Sequence, residues 1–160
     1  MATSKYKFYM AECDASWNII NESRRNLEES FVGMRYLEAK GLNLVGKPKV
    51  YTETYADSKR VRVFLPPSMT YEPTKVTFSF AFFGEERYQT YDAFVTWISG
   101  KRMVYWDDAR KKGVFFYVAD SIQPAEEKWY GSTPFLRMEL NVSNVYGNTY
   151  TVKEKQKTIN

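Results

Sequence analysis

Alternation of apolar and polar residues is the main pattern along this chain, and it predicts β-strands. The clearest run extends from Val76 to Phe82, where every second side chain is valine or phenylalanine and those between are small. This period of two is that of a strand with one buried face, and Gly84 follows at a position suited to a turn. The same pattern predicts further strands at Lys5–Met10, Arg60–Leu65, Lys101–Trp106, Gly113–Ala119 and Phe135–Val145.

The pattern is weaker between residues 11 and 46. Asn21–Ser30 is polar and rich in charge, which fits either a long loop or a short helix. Phe31–Ala39 fits a second strand that ends before Gly41. The sequence alone leaves this part of the fold open.

The period changes to that of a helix over about residues 85–99. An apolar stripe runs along one side of this segment, and Gly100 follows it at a position where helices commonly end. Such a stripe normally packs on one face of a sheet. The residues of the stripe are Tyr88, Tyr91, Phe94, Val95 and Ile98.

The segment after the helix predicts a hairpin. The strands Lys101–Trp106 and Gly113–Ala119 are joined by the polar sequence DDARKK, which has the length of a hairpin connection. An exposed tip with charges of both signs suits electrostatic contact with a neighbouring subunit. The candidate interface residues at this tip are Asp107, Asp108, Arg110 and Lys111.

Aromatic side chains are the second class of interface candidates. Aromatic residues make up 18% of the chain, and large rigid side chains of this kind are enriched where proteins meet. We take Trp97, Tyr105, Trp106 and Trp129 as candidates for contact with a subunit or partner. The three tryptophans fit a place in the core equally well.

Length and composition favour one domain. A chain of 160 residues has the size of a single domain, and it contains neither a repeat nor a Gly/Ser linker. We expect one mainly β domain over residues 1–150. The last ten residues, 151–160, lack the aromatic content of the rest and are expected to form a loose basic tail.

The composition also excludes several kinds of site. Without histidine and with one cysteine, the chain has no residues for a zinc cluster or for a nucleophilic triad that uses histidine. The remaining acidic pairs, Asp107 with Asp108 and Glu85 with Glu86, are expected in water. We therefore expect no catalytic residue, no metal and no cofactor.

Charge and hydropathy exclude other partners. The formal charge of +4 comes from 23 basic and 19 acidic residues that are interspersed, which is a weak signal for nucleic acid. No run approaches the roughly 20 apolar residues of a membrane span. We expect no association with a membrane.

The order of these elements resembles a known family. An aromatic strand is followed by a helix ending in Trp-Ile-x-Gly, a hairpin with an Asp-Asp-x-Arg tip and a strand with Met-Glu-Leu-x-Val. Over about Gly46–Thr149 this order resembles the distal tail proteins of long-tailed bacteriophages and prophages of gut bacteria, and their tail-tube relatives. The segments are YADSKRVRVFLP, KVTFSFAFFGEERYQTYDAFVTWISG, KRMVYWDDARKKG and FLRMELNVSNVYG.

The resemblance implies an antiparallel β-sandwich or split barrel with one packed helix. It implies a structural protein of the virion tail, assembled in the cytoplasm of the bacterial host, without an active site. The partners it implies are copies of the same chain in a ring of six, the tail tube protein and the baseplate hub or receptor-binding proteins. DNA would be only a passing cargo.

A monomeric binding module is the alternative. Its aromatic side chains would stack on single-stranded nucleic acid or on carbohydrate. The segment Lys112–Tyr117 is loosely similar to the aromatic RNP1 motif of RNA-binding domains, but Phe115 stands where that motif needs a small residue.

Overall fold

The computed structural model describes residues 8–54, 61–65, 69–107 and 112–151. These ranges contain one helix of twelve residues, α2 (Arg87–Ile98), one short helical turn, α1 (Leu27–Ser30), and a 3₁₀ turn at Asn21–Ser23. The prediction of a mainly β fold with one packed helix is confirmed. The strands are β1 (Phe8–Cys13), β2 (Arg25–Asn26), β3 (Met34–Lys40), β4 (Tyr51–Thr54), β5 (Val61–Phe64), β6 (Thr74–Phe83), β7 (Arg102–Asp107), β8 (Lys112–Val118), β9 (Glu126–Tyr130), β10 (Thr133–Asn144) and β11 (Tyr150–Thr151).

Nine of these strands form one antiparallel sheet. Its order is β2-β1-β7-β8-β10-β6-β3, with β9 added beside β10 and β11 beside β8. The long strand β10 pairs with β6 along its length, with β9 at residues 133–137 and with β8 at residues 142–144. Because β10 changes one neighbour midway, the sheet branches there.

The sheet folds over itself around an aromatic core. The rings of Phe78 in β6 and Tyr105 in β7 lie 5.3 Å apart, although β8 and β10 separate these strands in the sheet. Tyr36 in β3 also stacks on Tyr105, at 6.5 Å. The alternating residues of β6 and β10 contribute a large part of this core, as the sequence predicts. The buried residues of these two strands that face it are Val76, Phe78, Phe80, Phe82, Leu136, Met138, Leu140 and Val142.

Helix α2 covers one side of this core. The Phe94 ring lies 5.2 Å from that of Phe80 and 6.2 Å from that of Phe82. The helix ends where the Ser99 hydroxyl donates a hydrogen bond to the carbonyl oxygen of Val95. Gly100, at φ 70°, then takes the left-handed conformation that glycine favours and turns the chain into β7.

The predicted hairpin is present, and its strands pair in register. Asp107 of β7 is opposite Lys112 of β8, and Trp106 is opposite Gly113. Residues 108–111 of the tip lie outside the described residues. The first predicted strand, Lys5–Met10, is described from Phe8 onward. Of the predicted tail, residues 151–160, only Thr151 is described, and it lies opposite Lys112 in the pairing of β11 with β8.

The two faces of α2 give a test of the packing. Phe94→Ala removes a fully buried ring and is expected to lower the free energy of unfolding by about 3–5 kcal/mol. Tyr88→Ala on the same helix changes a side chain that is 49% exposed, so its effect should stay within about 0.5 kcal/mol. Urea unfolding followed by circular dichroism measures both; equal losses would contradict this placement of the helix.

Candidate functional site

Three of the aromatic candidates lie inside the chain. Trp97, Tyr105 and Trp106 are between 2% and 7% exposed. The Trp97 ring packs on that of Phe31 at 5.7 Å, and the Arg25 guanidinium lies 5.2 Å from the Trp97 ring centre. These side chains stabilise the fold of the chain itself and leave little area for a partner.

Tyr105 and Trp106 are buried on opposite faces of β7. Tyr105 faces the main core, whereas Trp106 belongs to a smaller cluster on the other face. There the rings of Trp106 and Tyr9 stack at 6.2 Å. The Arg24 guanidinium lies 4.3 Å from the Tyr9 ring and 5.0 Å from the Trp106 ring, a cation–π arrangement that covers both.

A tight turn after β1 closes the smaller cluster. One oxygen of the Asp14 carboxylate accepts the backbone N–H groups of Ser16 and Asn18, each at 2.9 Å, and the bond from Asn18 lowers the pKa of Asp14. The turn holds Trp17 at φ 64°, with its ring 6.1 Å from that of Phe115. Burial raises the pKa of the neighbouring Cys13 thiol to about 12, so this thiol is not a reactive site.

The charged candidates of the hairpin tip lie at or beyond the last described residue of β7. Asp107 is the last residue of β7. In the strand register it lies opposite Phe8 of β1 on one side and Lys112 of β8 on the other. Asp108, Arg110 and Lys111 lie outside the described residues. A contact made by this tip stays a prediction.

Trp129 is the aromatic candidate that is open to solvent, at 66% exposed. It lies in β9, all five residues of which are exposed. Gly131, at φ 61°, turns the chain from β9 into β10. Within the described ranges β9 pairs with β10 alone, so its other side is an edge of the sheet.

A second edge lies at β3. Among the described residues β3 pairs only with β6. The first half of its outer side is covered, because the Tyr36 N–H donates to the Glu28 carboxylate at 3.2 Å. A bulge follows Tyr36, and beyond it Leu37, Glu38 and Lys40 are exposed.

The layer β9-β10-β6-β3 has a polar outer face. Arg137 lies between Glu38, at 3.9 Å, and Glu139, at 3.7 Å. Lys40 lies 3.8 Å from Glu38, and Lys128 lies 3.1 Å from Glu126. Exposed ion pairs of this kind stabilise a fold by about 0–1 kcal/mol each. Their charges are therefore able to change partners at small cost.

A ribbon extends from the connection between β3 and β6. We call its described residues, 47–54, 61–65 and 69–72, the arm. Its strands β4 and β5 form a separate two-stranded sheet, and its base is held by hydrogen bonds from Lys49 N to Thr70 O and from Glu72 N to Lys47 O, both 2.9 Å. Gly147 at this base has φ 63°, and a Cβ there would lie 2.1 Å from the Glu72 oxygen, so a larger residue would displace the arm.

Other kinds of site are weakly supported. In the part of the chain that the structure describes, no three His, Cys, Asp or Glu side chains come together as metal ligands. No helix in these ranges is long and apolar enough to cross a membrane. An open cleft of about 460 Å³ is lined by Trp17, Lys101, Arg102 and Tyr117 among others.

Comparison with known proteins gives a likeness of fold. No protein-family model matches the chain, and no curated protein matches its sequence. A solved structure that it resembles is the Dit protein of phage SPP1, described as a paradigm of the hub adsorption apparatus in phages that infect Gram-positive bacteria. The TM-score is 0.52 at 11% identity, over 90% of this chain and 52% of that chain. This chain thus spans about half the length of that protein.

The difference between Trp129 and the buried tryptophans can be measured in solution. Trp129→Phe is expected to cause the largest fall in the fraction of fluorescence that acrylamide quenches, because its ring is the most exposed tryptophan among the described residues. Trp106→Phe should leave this fraction nearly unchanged. An unchanged quenched fraction in Trp129→Phe would mean that this ring is covered in solution.

Proposed function

We propose that this protein is a structural component of a phage tail that forms a ring by joining copies edge to edge. The observation that carries the proposal is the layer β9-β10-β6-β3, which has an open edge on each side in the described residues. A contact between two different edges of identical chains is heterologous, and it closes into a ring when the rotation allows. A fold like that of SPP1 Dit supports the tail role.

The directions of the strands fit such a contact. Neighbouring strands in this layer are antiparallel throughout, so β9 and β3 run in opposite directions. If β9 of one copy lies beside β3 of the next, the antiparallel order continues without a break. Pairing of this kind satisfies backbone groups that an edge leaves to water.

The charges on the two edges are complementary. In an antiparallel pair, Glu126 opposite Lys40 places Lys128 opposite Glu38, because both pairs are two residues apart. All four side chains lie on the polar outer face. Each pairs at present within its own strand, at 3.1 Å in β9 and 3.8 Å in β3, and would exchange that partner for one on the next copy.

Further details follow from the resemblance of the sequence to distal tail proteins. We propose six copies per ring, at the junction of the tail tube with the baseplate hub or receptor-binding proteins. The polar outer face of the layer would turn toward the central channel of the ring, because the opposite face of the layer carries α2 and the core. DNA would pass along it as cargo, and no chemistry would be performed.

A monomeric module that stacks ligands on aromatic rings is the weaker candidate. Tyr105 and Phe116, which would have to face the ligand, are 2% and 0% exposed. A buried ring cannot stack on a base or a sugar without unfolding the strand that carries it. The exposed aromatic Trp129 lies on an edge strand instead, which fits contact between subunits.

The edge contact can be tested by reversing charge at constant net charge. Wild type is expected to have the mass of six 18.8 kDa chains by native mass spectrometry. Glu126→Lys with Lys128→Glu should shift this toward single chains, because each edge then meets like charges. Adding Glu38→Lys with Lys40→Glu in the same chain should restore the ring. A wild type that stays a single chain at high concentration would contradict the proposal, whereas rings in every variant would contradict this choice of edges.

A further inference from the structure

The open cleft lies where the start of β7 meets the end of β8. It has a volume of about 460 Å³, and its lining residues are Trp17, Gly100, Lys101, Arg102, Tyr117 and Val118. Proteins bind small molecules in clefts of about 300–1,000 Å³. This cleft therefore has room for one ligand of that size.

Tyr117 forms one aromatic wall of the cleft. The register that pairs Met103 with Phe116 places the next two residues, Arg102 and Tyr117, side by side on the opposite face of the sheet. The buried Phe116 faces the main core, whereas Tyr117 is 44% exposed. The Tyr117 ring is thus accessible to a ligand that lies beside the Arg102 guanidinium.

Trp17 forms the second aromatic wall, and its position is fixed. The hydrogen-bonded turn at Asp14 holds the Trp17 backbone at φ 64°. The Trp17 ring makes edge-to-face contacts with Phe115, at 6.1 Å, and with Tyr146, at 6.5 Å, an arrangement that aromatic pairs favour. Because the Trp17 side chain is only half-buried, a planar ligand can contact its ring without a change in the fold.

Arg102 supplies a positive charge next to both rings. Its guanidinium lies 6.0 Å from the centre of the Trp17 ring, and it forms no ion pair within the part of the chain that the structure describes. Its effect on Asp14 is small, because the hydrogen bond from Asn18 is the main cause of the lowered pKa of Asp14 and the charge of Arg102 is the least of the causes. A free guanidinium can bind a phosphate or a carboxylate through two parallel hydrogen bonds.

The acidic groups beside the cleft are already occupied. The Glu12 carboxylate pairs with Lys101 at 3.3 Å. The Asp14 carboxylate accepts the backbone N–H groups of Ser16 and Asn18 and the side-chain amide of Asn18. The hydroxyl groups of a sugar need acceptors as well as donors, and this arrangement leaves few acceptors. A planar ring that carries an anionic group needs only the two aromatic rings and the guanidinium.

We propose that this cleft binds a nucleotide, with the base stacked on Trp17 and Tyr117 and the phosphate on Arg102. A free nucleotide and one unit of a single nucleic-acid strand present the same base and phosphate, and bases stack on aromatic side chains in both. The inference does not depend on the proposed ring. It also uses other residues than Tyr105 and Phe116, which are buried in the main core.

Isothermal titration calorimetry of the full chain tests the ligand class. Thymidine monophosphate is expected to bind saturably, with one site per chain in single chains and in any assembly. Thymidine, which lacks the phosphate, should bind about tenfold more weakly, because it loses the charge-assisted hydrogen bonds to Arg102. Absence of saturable binding, or equal affinity for the two probes, would overturn the proposal.

Three variants test the position of the site. Arg102→Gln should lower the affinity for thymidine monophosphate about tenfold and leave that for thymidine unchanged. Tyr117→Ala should lower both at least about fivefold, because it removes a stacking surface. Arg137→Gln is the matched control, since it removes the same charge from an ion-paired guanidinium outside the cleft, and it should change neither. Equal effects of Arg102→Gln and Arg137→Gln would overturn the assignment to this cleft.

Arg102→Lys keeps the test decisive if Arg102→Gln does not fold. Lysine retains the charge but lacks the planar fork of the guanidinium, so the affinity for thymidine monophosphate should fall between those of wild type and of thymidine. Circular dichroism checks that each variant is folded. An Arg102→Lys variant that is folded and binds as tightly as wild type would remove the bidentate contact and overturn the role of Arg102.

Two further probes identify the source of the ligand. A short oligothymidylate that binds more tightly per nucleotide than thymidine monophosphate would support the proposal and identify a single strand. Equal affinity per nucleotide would support the proposal and identify the free nucleotide. Glucuronate, an acidic sugar, should bind more weakly than thymidine monophosphate. Tighter binding of glucuronate would overturn the proposal in favour of an acidic carbohydrate.

Discussion

The structure depends on β10, which must pair on both sides but with different neighbours along its length. Its first residues lie between β9 and β6, and its last residues lie between β8 and β6. A flat sheet cannot satisfy both arrangements, so the sheet branches and folds over. This brings Tyr105 of β7 against Phe78 of β6, and the aromatic core forms between strands that are not neighbours in the sheet.

The same branching determines which surfaces are open. The half of the sheet that contains β7 is buried on both faces, by the main core and by the cluster around Trp106. The half that contains β9 and β3 is packed on one face only, where α2 covers it, and its other face is polar and ion-paired. In the described residues the short strands β2 and β11 are edges of the first half, whereas the edges β9 and β3 belong to the half with an exposed polar face, where added strands would cost little desolvation of apolar area.

How much of this the sequence predicts depends on the burial of each strand. Phe78 and Met138 alternate with polar neighbours, so β6 and β10 were predictable, as was α2 from its stripe. The burial of both Tyr105 and Trp106 could not be predicted, because a strand buried on both faces has no polar side to mark it. β9 has no apolar alternation, since all its residues are exposed, and only its pairing with β10 identifies it. The position of Trp17 depends on the hydrogen-bonded turn at Asp14, and a turn of this kind leaves no periodic pattern of apolar residues in the sequence.

The proposed edge contact determines what copies of this chain could build. A contact between β9 of one copy and β3 of the next is heterologous, so it would turn each copy about a common axis and close after a fixed number of copies. Each copy in a closed ring would use both of these edges, so neither β9 nor β3 would be left open for a further strand. Other partners would then have to bind surfaces outside these two edges.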